Sequence, residues 1–319
     1  MTGCMLSSDI SDLTRQLKER GAQRVALQFP AGLKRKAAGY AAALRNAGFD
    51  VIVSGDPCYG ACDLSLGLLR DADVLVHVGH APVDNQPNVI FLPFPVDFDI
   101  HVLDAAIPLL KGPVTGLVTT VQHTNLIPAM EKYLRTKGID VRVANGSGRT
   151  PHRGQVLGCC FTTARETGAG EILFVGTGIF HPIGIALSTG ARVIALDPLA
   201  GTAELVTGEA LMRRRFAVIE KARGAKSIGI LVSTKTGQRR MELARQLAAL
   251  SPDAVIVPLQ EVTPDELLDL GFGCYVNTAC PRLAYDDQIR FPAPVLSPQE
   301  FEIFCGVRTW DNYEIDEIL

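Results

Sequence analysis

Hydrophobic positions along the chain form short, nearly continuous apolar runs that alternate with segments of helical periodicity. Three of the runs carry strand-forming residues and span Arg24–Phe29, Val114–Thr120 and Ser227–Thr234. Each is followed by apolar residues at helical spacing, at 32–47, 125–137 and 238–250. Continuous apolar strands between helices are typical of parallel sheets that are covered on both faces. The pattern predicts an α/β protein in which one strand–helix motif recurs three times.

Further apolar runs complete each repeat. They predict a second strand after each helix, at 51–54, 141–144 and 254–258, and more strands at 74–78, 172–175, 193–196 and 275–277. Thr263, Pro264 and Glu266 combine an N-cap, a first-turn proline and a capping box, which predicts a helix start. We therefore predict the fold class α/β, with three similar small parallel-sheet domains at 1–105, 106–208 and 209–319.

The composition excludes several classes of function. Of 319 residues, 47% are hydrophobic, 20% are charged and 6% are aromatic, and the net charge is −3. Nucleic-acid-binding proteins usually carry a basic excess or base-stacking aromatic residues, so we expect no nucleic-acid partner. The N-terminal residues lack a secretory pattern, and the longest uncharged stretch, Ile172–Ala191, contains Pro182 and four glycines. We therefore expect no membrane span and a cytoplasmic protein with reduced cysteines. Arg213–Arg215 is typical of a solvated helix face, and a docking patch for a protein substrate is the alternative interpretation.

The cysteines carry the main chemical signal. Each predicted domain holds a pair of them: Cys58 and Cys62, Cys159 and Cys160, and Cys274 and Cys280. Parallel sheets place functional loops at the carboxyl ends of their strands, so one thiolate per domain can point to a common centre on a pseudo-threefold axis. Three thiolates there favour zinc or an iron–sulfur cluster with one open iron. For Cys4, Cys160 and Cys305 a role as a small buried hydrophobe is the simpler expectation.

The motifs around these cysteines resemble a known family. GDPCYGACD, GQVLGC and NTACPRLAYDD, in this order, are similar to motifs of the archaeal diphthamide synthases, a noncanonical group of radical S-adenosylmethionine enzymes. GTGIFHPIGIAL, ALDP and STKTGQ also resemble motifs of that family. The resemblance covers nearly the whole chain. It implies three α/β domains that hold a central 4Fe–4S cluster through Cys58, Cys159 and Cys280, while Cys62, Cys160 and Cys274 do not match ligand positions.

The resemblance also implies an activity. In that activity the open iron would bind S-adenosylmethionine, a reduced cluster would supply one electron, and the bond to the methionine γ-carbon would break to leave methylthioadenosine. The 3-amino-3-carboxypropyl group would then be transferred to C2 of a histidine on elongation factor 2, the first step of diphthamide biosynthesis. The expected partners are elongation factor 2, a reductant protein and a second copy of the chain in a homodimer.

Several polar residues are candidates for binding S-adenosylmethionine. Ser233, Lys235, Gly237 and Gln238 lie between a predicted strand and a helix, where backbone N–H groups can hold an anion, although an ordinary capped turn explains them too. Arg282 can bind a carboxylate or neutralise a cluster. Gly178, His181, His80 and Asp197 follow strands, but the histidines can also be structural and Asp197 can simply begin a turn.

Three other functions remain open from the residues alone. A quinolinate-synthase-like dehydratase would also use three cysteines and an open iron, there as a Lewis acid. A non-catalytic paralogue would keep the cluster as an electron relay or scaffold. A structural zinc protein would use the thiolates without redox chemistry. Dependence on S-adenosylmethionine and on a protein substrate separates the predicted transferase from these alternatives.

Overall fold

The computed structural model describes residues 5–319, with side chains from residue 10 onward, so Cys4 lies outside the described residues. The contacts divide the chain after Val96 into two compact units, the second of which is Asp97–Leu319. Over the described range, every helix is too short or too polar to cross a bilayer.

Helices and strands alternate along the described chain. The helices are α1 (Met5–Glu19), α2 (Ala37–Asn46), α3 (Ile127–Thr136), α4 (Thr162–Glu166), α5 (Phe180–Thr189), α6 (Glu209–Ala222), α7 (Met241–Ala248), α8 (Pro264–Leu270), α9 (Arg282–Tyr285) and α10 (Pro298–Phe304). The strands are β1 (Arg24–Gln28), β2 (Asp50–Val53), β3 (Val74–Val78), β4 (Val89–Leu92), β5 (Thr115–Thr119), β6 (Val141–Arg142), β7 (Glu171–Val175), β8 (Arg192–Asp197), β9 (Thr202–Val206), β10 (Ile228–Ser233), β11 (Ala254–Leu259), β12 (Cys274–Asn277) and β13 (Val295–Leu296).

The first unit contains a parallel sheet in the order β2-β1-β3-β4. Alternate residues of β1 point to opposite faces, because side chains alternate along a strand. Val25 and Leu27 belong to a core that includes Leu13 and Leu17 of α1, whereas Ala26 packs in a smaller cluster on the other face. The sheet is thus covered on both faces, as its continuous apolar strands predict.

The second unit contains two further sheets, in the orders β6-β5-β7-β8-β9 and β11-β10-β12-β13. In each of the three sheets the strand that comes second in sequence lies at the edge, followed in space by the first, third and fourth strands. The predicted threefold repeat of parallel α/β units is therefore confirmed. One strand departs from the parallel pattern: β9 runs antiparallel to β8. The turn between them is closed by Asp197 and by Gly201, whose φ is 67°.

A common core joins the two sheets of the second unit. Val118 and Phe174 from the β5–β7 region pack in one cluster with Leu231 and Tyr275 from β10 and β12. The loops at the carboxyl ends of these two sheets therefore belong to one packed body. Their relative positions are well defined by that core.

One sequence prediction is wrong in this unit. Arg213 and Arg214 are exposed on α6, but Arg215 on the same helix is only 1% exposed. Its guanidinium makes two hydrogen bonds to Glu300, of 2.8 and 2.5 Å, and donates to the carbonyl oxygens of Ala284 and Val295. The helical period explains the difference, because consecutive residues of a helix face different directions.

Candidate metal centre

Cys58 lies in the loop after β2, at the carboxyl end of the first sheet. The loop is held by Gln28 at the end of β1, whose Nε2 donates to the Asp63 carbonyl at 2.8 Å. The Asp63 carboxylate accepts the Tyr59 N–H at 3.2 Å. Cys58 is 4% exposed, and its Sγ lies 3.8 Å from the Gly60 carbonyl oxygen. These two hydrogen bonds fix the loop that carries the Cys58 thiol beyond the end of β2.

Two histidines lie beside this thiol. The ligand atoms of Cys58, His77 and His80 all lie within 4.8 Å of one another. His77 Nδ1 is 2.9 Å from Gln28 Oε1, and His77 Nε2 is 2.9 Å from His80 Nδ1. Burial lowers the pKa of His77 to about 3 and that of His80 to about 4, so both imidazoles are neutral near pH 7.

The structure therefore places the predicted His80 next to Cys58 and adds His77. Sequence reasoning missed His77, although it interrupts the apolar strand VLVHV with a titratable side chain. His77 is completely buried in β3, where a polar ring needs a hydrogen-bond partner. A histidine within an apolar strand is therefore the sequence feature from which His77 could have been identified as a candidate ligand.

Cys159 lies at the tip of a tight turn in the second unit. Leu157 and Cys160 exchange backbone hydrogen bonds of 3.1 and 3.3 Å, which leaves Gly158 and Cys159 at the turn. Cys159 is half-buried, whereas Cys160 is 3% exposed, with its Sγ 3.6 Å from Thr162 Oγ1. The turn thus presents Cys159 and directs Cys160 into the core.

The segment 316–318 holds this turn. The Ile318 N–H donates to the Cys159 carbonyl oxygen at 2.7 Å, and the Phe161 N–H donates to the Glu317 carboxylate at 2.7 Å. Arg165 pairs with the same carboxylate. The sequence offers no local signal for this contact, because Glu317 and Phe161 are 156 residues apart.

The start of α5 packs against the same turn. A Cβ atom on Gly158 would lie 2.7 Å from Phe180 Cε1 and 3.6 Å from His181 Nε2. His181 stacks on Phe174 with the ring centroids 5.6 Å apart. Burial, assisted by the nearby charge of Arg282, lowers the pKa of His181 to about 4. Gly178 precedes the helix with a φ of 77°.

Cys280 follows β12 in the third sheet. The Asn277 side chain shapes this loop, because its Nδ2 donates to the Cys280 carbonyl at 2.8 Å and its Oδ1 accepts the Ala279 N–H at 3.0 Å. Cys280 is half-buried. Cys274 is fully buried in β12, and burial raises the pKa of its thiol to about 11, which makes it unreactive.

Arg282 connects the Cys280 loop with α5. Its guanidinium lies 5.0 Å from the centre of the Phe180 ring and donates to the Asp286 carboxylate at 2.6 Å. The side chain is 55% exposed, so this pair is open to solvent. Phe180 is thus shared by the Cys159 turn and the Cys280 loop.

The Ser233–Gln238 segment forms a short turn before α7. Ser233 Oγ accepts the Lys235 N–H at 3.1 Å, and Lys235 Nζ donates to Glu261 at 2.5 Å. The Gly237 carbonyl accepts from Arg149 at 3.0 Å, and Gln238 is 6% exposed. The predicted candidates here are therefore closely packed, and Lys235 is already ion-paired.

A cavity of about 450 Å³ opens beside this turn. Its walls come from Arg149, Thr236, Gly237, Gln238, Arg239, Arg240, Leu243 and residues 317–319. Arg240 also donates to the carbonyl oxygens of Thr278 and Ala279, and Ile318 donates to Cys159. The cavity therefore lies next to both the Cys159 turn and the Cys280 loop.

Asp197 has a different local role. Its Oδ1 accepts the N–H groups of Leu199 and Ala200 at 2.9 and 3.0 Å. This is the side-chain pattern of a turn-forming aspartate. A contact with S-adenosylmethionine stays a prediction for this residue.

The chain is similar to proteins of diphthamide synthesis. A family model described as "Putative diphthamide synthesis protein" matches residues 29–315. The 2-(3-amino-3-carboxypropyl)histidine synthase of Pyrococcus horikoshii is 36% identical over 97% of this chain and 93% of that protein. Subunit 1 of the Homo sapiens synthase is 30% identical over 94% of this chain and 72% of that protein. A crystal structure of Dph2 from Pyrococcus horikoshii with a 4Fe–4S cluster superposes with a TM-score of 0.91 at 35% identity, over 97% of this chain and 93% of that chain.

Proposed function

The chain belongs to the diphthamide synthesis protein family, and we propose that it transfers the 3-amino-3-carboxypropyl group of S-adenosylmethionine to C2 of a histidine on elongation factor 2. This transferase reaction is the first step of diphthamide biosynthesis. One observation carries the proposal: each of the three sheets has a cysteine-bearing loop beyond a strand end, in a fold whose solved neighbour holds a 4Fe–4S cluster.

The donor atoms fit such a cluster, and the proposed ligands are Cys58, Cys159 and Cys280 around a pseudo-threefold axis. Thiolates are the usual protein ligands of iron–sulfur clusters. The neighbouring Cys160 and Cys274 are turned into the core, so their placement supports the choice of Cys159 and Cys280 over them. When bound, a reduced cluster supplies one electron to the sulfonium, and the iron without a cysteine supplies a binding position for S-adenosylmethionine.

The cavity beside α7 suits the aminocarboxylate end of S-adenosylmethionine. Arg149 and Arg239 place two guanidinium groups in its wall, and guanidinium binds carboxylate through paired hydrogen bonds. The buried Nε of Arg149 has no hydrogen-bond partner among the described residues. Gln238 adds a buried amide to the same wall. We propose that these groups orient the methionine part, with Ser233, Lys235 and Gly237 shaping the turn.

The histidines contribute neutral polar groups rather than charges. His181 borders the Cys159 turn, and its buried ring is neutral near pH 7. Arg282, close to it through Phe180, carries a positive charge that can balance a carboxylate or an anionic cluster. His80 offers a second neutral ring in the first unit. Gly178 leaves the entrance to α5 free of a side chain.

A product assay tests the proposed reaction. Anaerobically purified protein is incubated with dithionite and S-adenosylmethionine, with and without elongation factor 2. The proposal predicts release of methylthioadenosine, rather than 5′-deoxyadenosine, and addition of the aminocarboxypropyl mass to a histidine of the factor. A protein that holds a cluster but leaves S-adenosylmethionine intact would contradict it.

Two further experiments test the proposed partners. The same reaction with a purified electron-transfer protein in place of dithionite tests the reductant, and sedimentation of the holoprotein tests the homodimer.

A further inference from the structure

Cys58, His77 and His80 form a compact group of soft and borderline ligands inside the first unit. Their ligand atoms lie within 4.8 Å of one another, and all three residues belong to the segment that ends at Val96. We propose that this group is a mononuclear site for a borderline divalent cation, Zn²⁺ in particular, that forms without Cys159 and Cys280.

The hydrogen bonds around Gln28 assign the proton of His77. Gln28 Nε2 donates to the Asp63 carbonyl at 2.8 Å, and Gln28 Oε1 accepts the Ser65 N–H at 3.3 Å, so the orientation of the amide is set. Gln28 Oε1 must then accept from His77 Nδ1, which is 2.9 Å away. His77 Nε2 consequently carries a lone pair. A histidine that donates one ring N–H to an oxygen and offers the other nitrogen has the usual arrangement of a metal ligand.

His80 offers the second nitrogen. His80 Nδ1 lies 2.9 Å from His77 Nε2, so a single proton occupies the space between two ring nitrogens. Tetrahedral Zn²⁺ with Zn–N bonds of about 2.0–2.1 Å holds its nitrogen ligands about 3.3 Å apart. The rings therefore need to separate by roughly half an ångström to admit the ion.

The backbone explains why the two rings meet. His77 is on β3, one of the two inner strands of the sheet, and the chain turns just after that strand at Gly79, whose φ of 93° favours glycine. This turn brings His80 back towards His77 instead of continuing the strand. His77 is thus fixed in the sheet itself, and His80 follows it after a single turn, so the two rings are adjacent before any ion binds.

Metal binding balances with the release of one proton. His80 transfers its proton from Nδ1 to Nε2 through solvent and stays neutral, while the Cys58 thiol loses its proton to solvent. Three bonds to Zn²⁺ form, from one thiolate and two imidazoles, and the fourth tetrahedral position remains for water. No change of redox state is involved.

The site has a consequence that rests on the proposed function. If Cys58 is a cluster ligand, the same sulfur cannot also complete the mononuclear site. Zn²⁺ at Cys58, His77 and His80 and a cluster at Cys58, Cys159 and Cys280 are therefore mutually exclusive. Zinc-loaded protein should take up less iron during anaerobic reconstitution, and chelation should restore the uptake.

Cobalt binding to a cluster-free chain tests the mononuclear site by itself. The chain carries Cys159→Ala and Cys280→Ala, and Co²⁺ is used as the spectroscopic probe. We expect one Co²⁺ per chain with the visible d–d bands of tetrahedral geometry, a thiolate-to-cobalt charge-transfer band, and release of one proton. Zn²⁺ should displace the probe. Loss of binding in this double variant would overturn the proposal.

Single substitutions in the same background identify the ligands. Cys58→Ser should abolish the charge-transfer band, and Gln28→Ala should weaken binding by about 10–100-fold, the usual effect of removing an outer-shell partner. His77→Ala should weaken it further. Cys62→Ser and His101→Ala are matched controls that should bind normally, and circular dichroism checks that each variant is folded.

X-ray absorption of the unsubstituted, cluster-free chain loaded with Zn²⁺ gives a result that does not depend on any variant. One sulfur and two imidazole nitrogens around the ion would support the proposal. Two or more sulfurs, or no sulfur, would contradict it. Since neither experiment involves S-adenosylmethionine or elongation factor 2, a negative result here leaves the proposed transferase activity to its own assay.

Discussion

At the scale of single residues, local packing separates cysteines that look equivalent in the sequence. Cys159 and Cys160 are adjacent, yet one lies at a turn tip and the other contacts Thr162 in the core. Cys274 is enclosed in a strand, where burial raises its thiol pKa to about 11. Motif resemblance selected Cys159 and Cys280 over these neighbours, and the packing supplies a physical reason for that selection.

Replacement of Arg215 should be strongly destabilising. Its side chain and that of Glu300 are 2% and 0% exposed, so Arg215→Ala leaves a buried carboxylate without its partner. Removing one member of a buried pair typically costs about 3–5 kcal/mol. Arg213→Ala on the same helix removes only an exposed pair with Glu209 and should cost less than about 1 kcal/mol. Urea unfolding of both variants measures the difference, and equal midpoints would contradict the buried-pair interpretation.

The buried histidines should make the metal-free protein less stable in acid. Burial lowers the pKa values of His77, His80 and His181 from 6.5 to about 3, 4 and 4, so the unfolded chain binds more protons below pH 6.5. Above pH 6.5 these histidines do not lower the free energy of unfolding. As the pH falls below 6.5 the free energy of unfolding decreases, down to about pH 4 for His80 and His181 and about pH 3 for His77. At pH 5 the loss is about 2 kcal/mol per histidine.

Urea unfolding at pH 7 and pH 5 measures this effect. His181→Phe removes one of the three groups and should reduce the difference in unfolding free energy between the two pH values by about 2 kcal/mol. The comparison uses the pH dependence of each protein, so a general loss of stability in the variant does not affect it. An unchanged pH dependence would show that His181 is not a buried neutral group.

At the scale of elements, the loops beyond the strands hold the candidate chemistry, while strands and helices fix where the loops begin. The Cys58 loop depends on Gln28 in β1, and the Cys280 loop depends on Asn277 in β12. The Cys159 turn depends on Phe180 at the start of α5 and on Glu317. Side chains from neighbouring elements therefore determine the loop conformations.

Gly158→Ala should disturb the Cys159 turn. The added Cβ would lie 2.7 Å from Phe180 Cε1, so the ring must move, and overpacking of this kind costs about 1–3 kcal/mol. Because Phe180 also lies under Arg282, we expect lower cluster content and lower transferase activity as well. Gly60→Ala is the matched control, since its Cβ would be 3.4 Å from Cys62 Sγ, an ordinary contact. Equal cluster content in the two variants would contradict the proposed role of Phe180 packing.

Much of the element structure was predictable from the chain itself. The strand at 74–78 and the capping box at Thr263 are confirmed, because both depend on local patterns. The short strands β4 and β13 were missed, since two to four apolar residues are a weak signal. The antiparallel β9 was also missed, because the Asp197 turn reverses the chain where the repeat predicts a helix.

At the scale of the whole molecule, the three sheets share one order of their first four strands but carry their cysteine loops after different strands. Cys58 and Cys159 lie in loops that follow the second strand of their sheets, whereas Cys280 follows the third. After the second strand of the third sheet comes Glu261, which pairs with Lys235. The three units are therefore more alike in their strand order than in the position of the loop that carries the cysteine.

The family and the three-unit fold were predictable from motifs and periodicity, and both are confirmed. The domain boundaries at 105 and 208 stay predictions, as do the individual contacts to S-adenosylmethionine. The Glu317 contact to the Cys159 turn and the Arg215–Glu300 pair could not be predicted from the sequence, because both join segments that are distant along the chain.

The central proposal is that Cys58, Cys159 and Cys280 together hold one cluster with an open iron. ⁵⁷Fe Mössbauer spectroscopy, with iron and sulfide analysis, tests it on anaerobically reconstituted wild type and six single Cys→Ser variants. We predict four irons per chain in the wild type, as in the solved neighbour's 4Fe–4S cluster, and a change at one iron site when S-adenosylmethionine is added. Serine at 58, 159 or 280 should disrupt the cluster, and serine at 62, 160 or 274 should leave it intact. A normal cluster in Cys58→Ser, or its loss in Cys62→Ser, would contradict the claim.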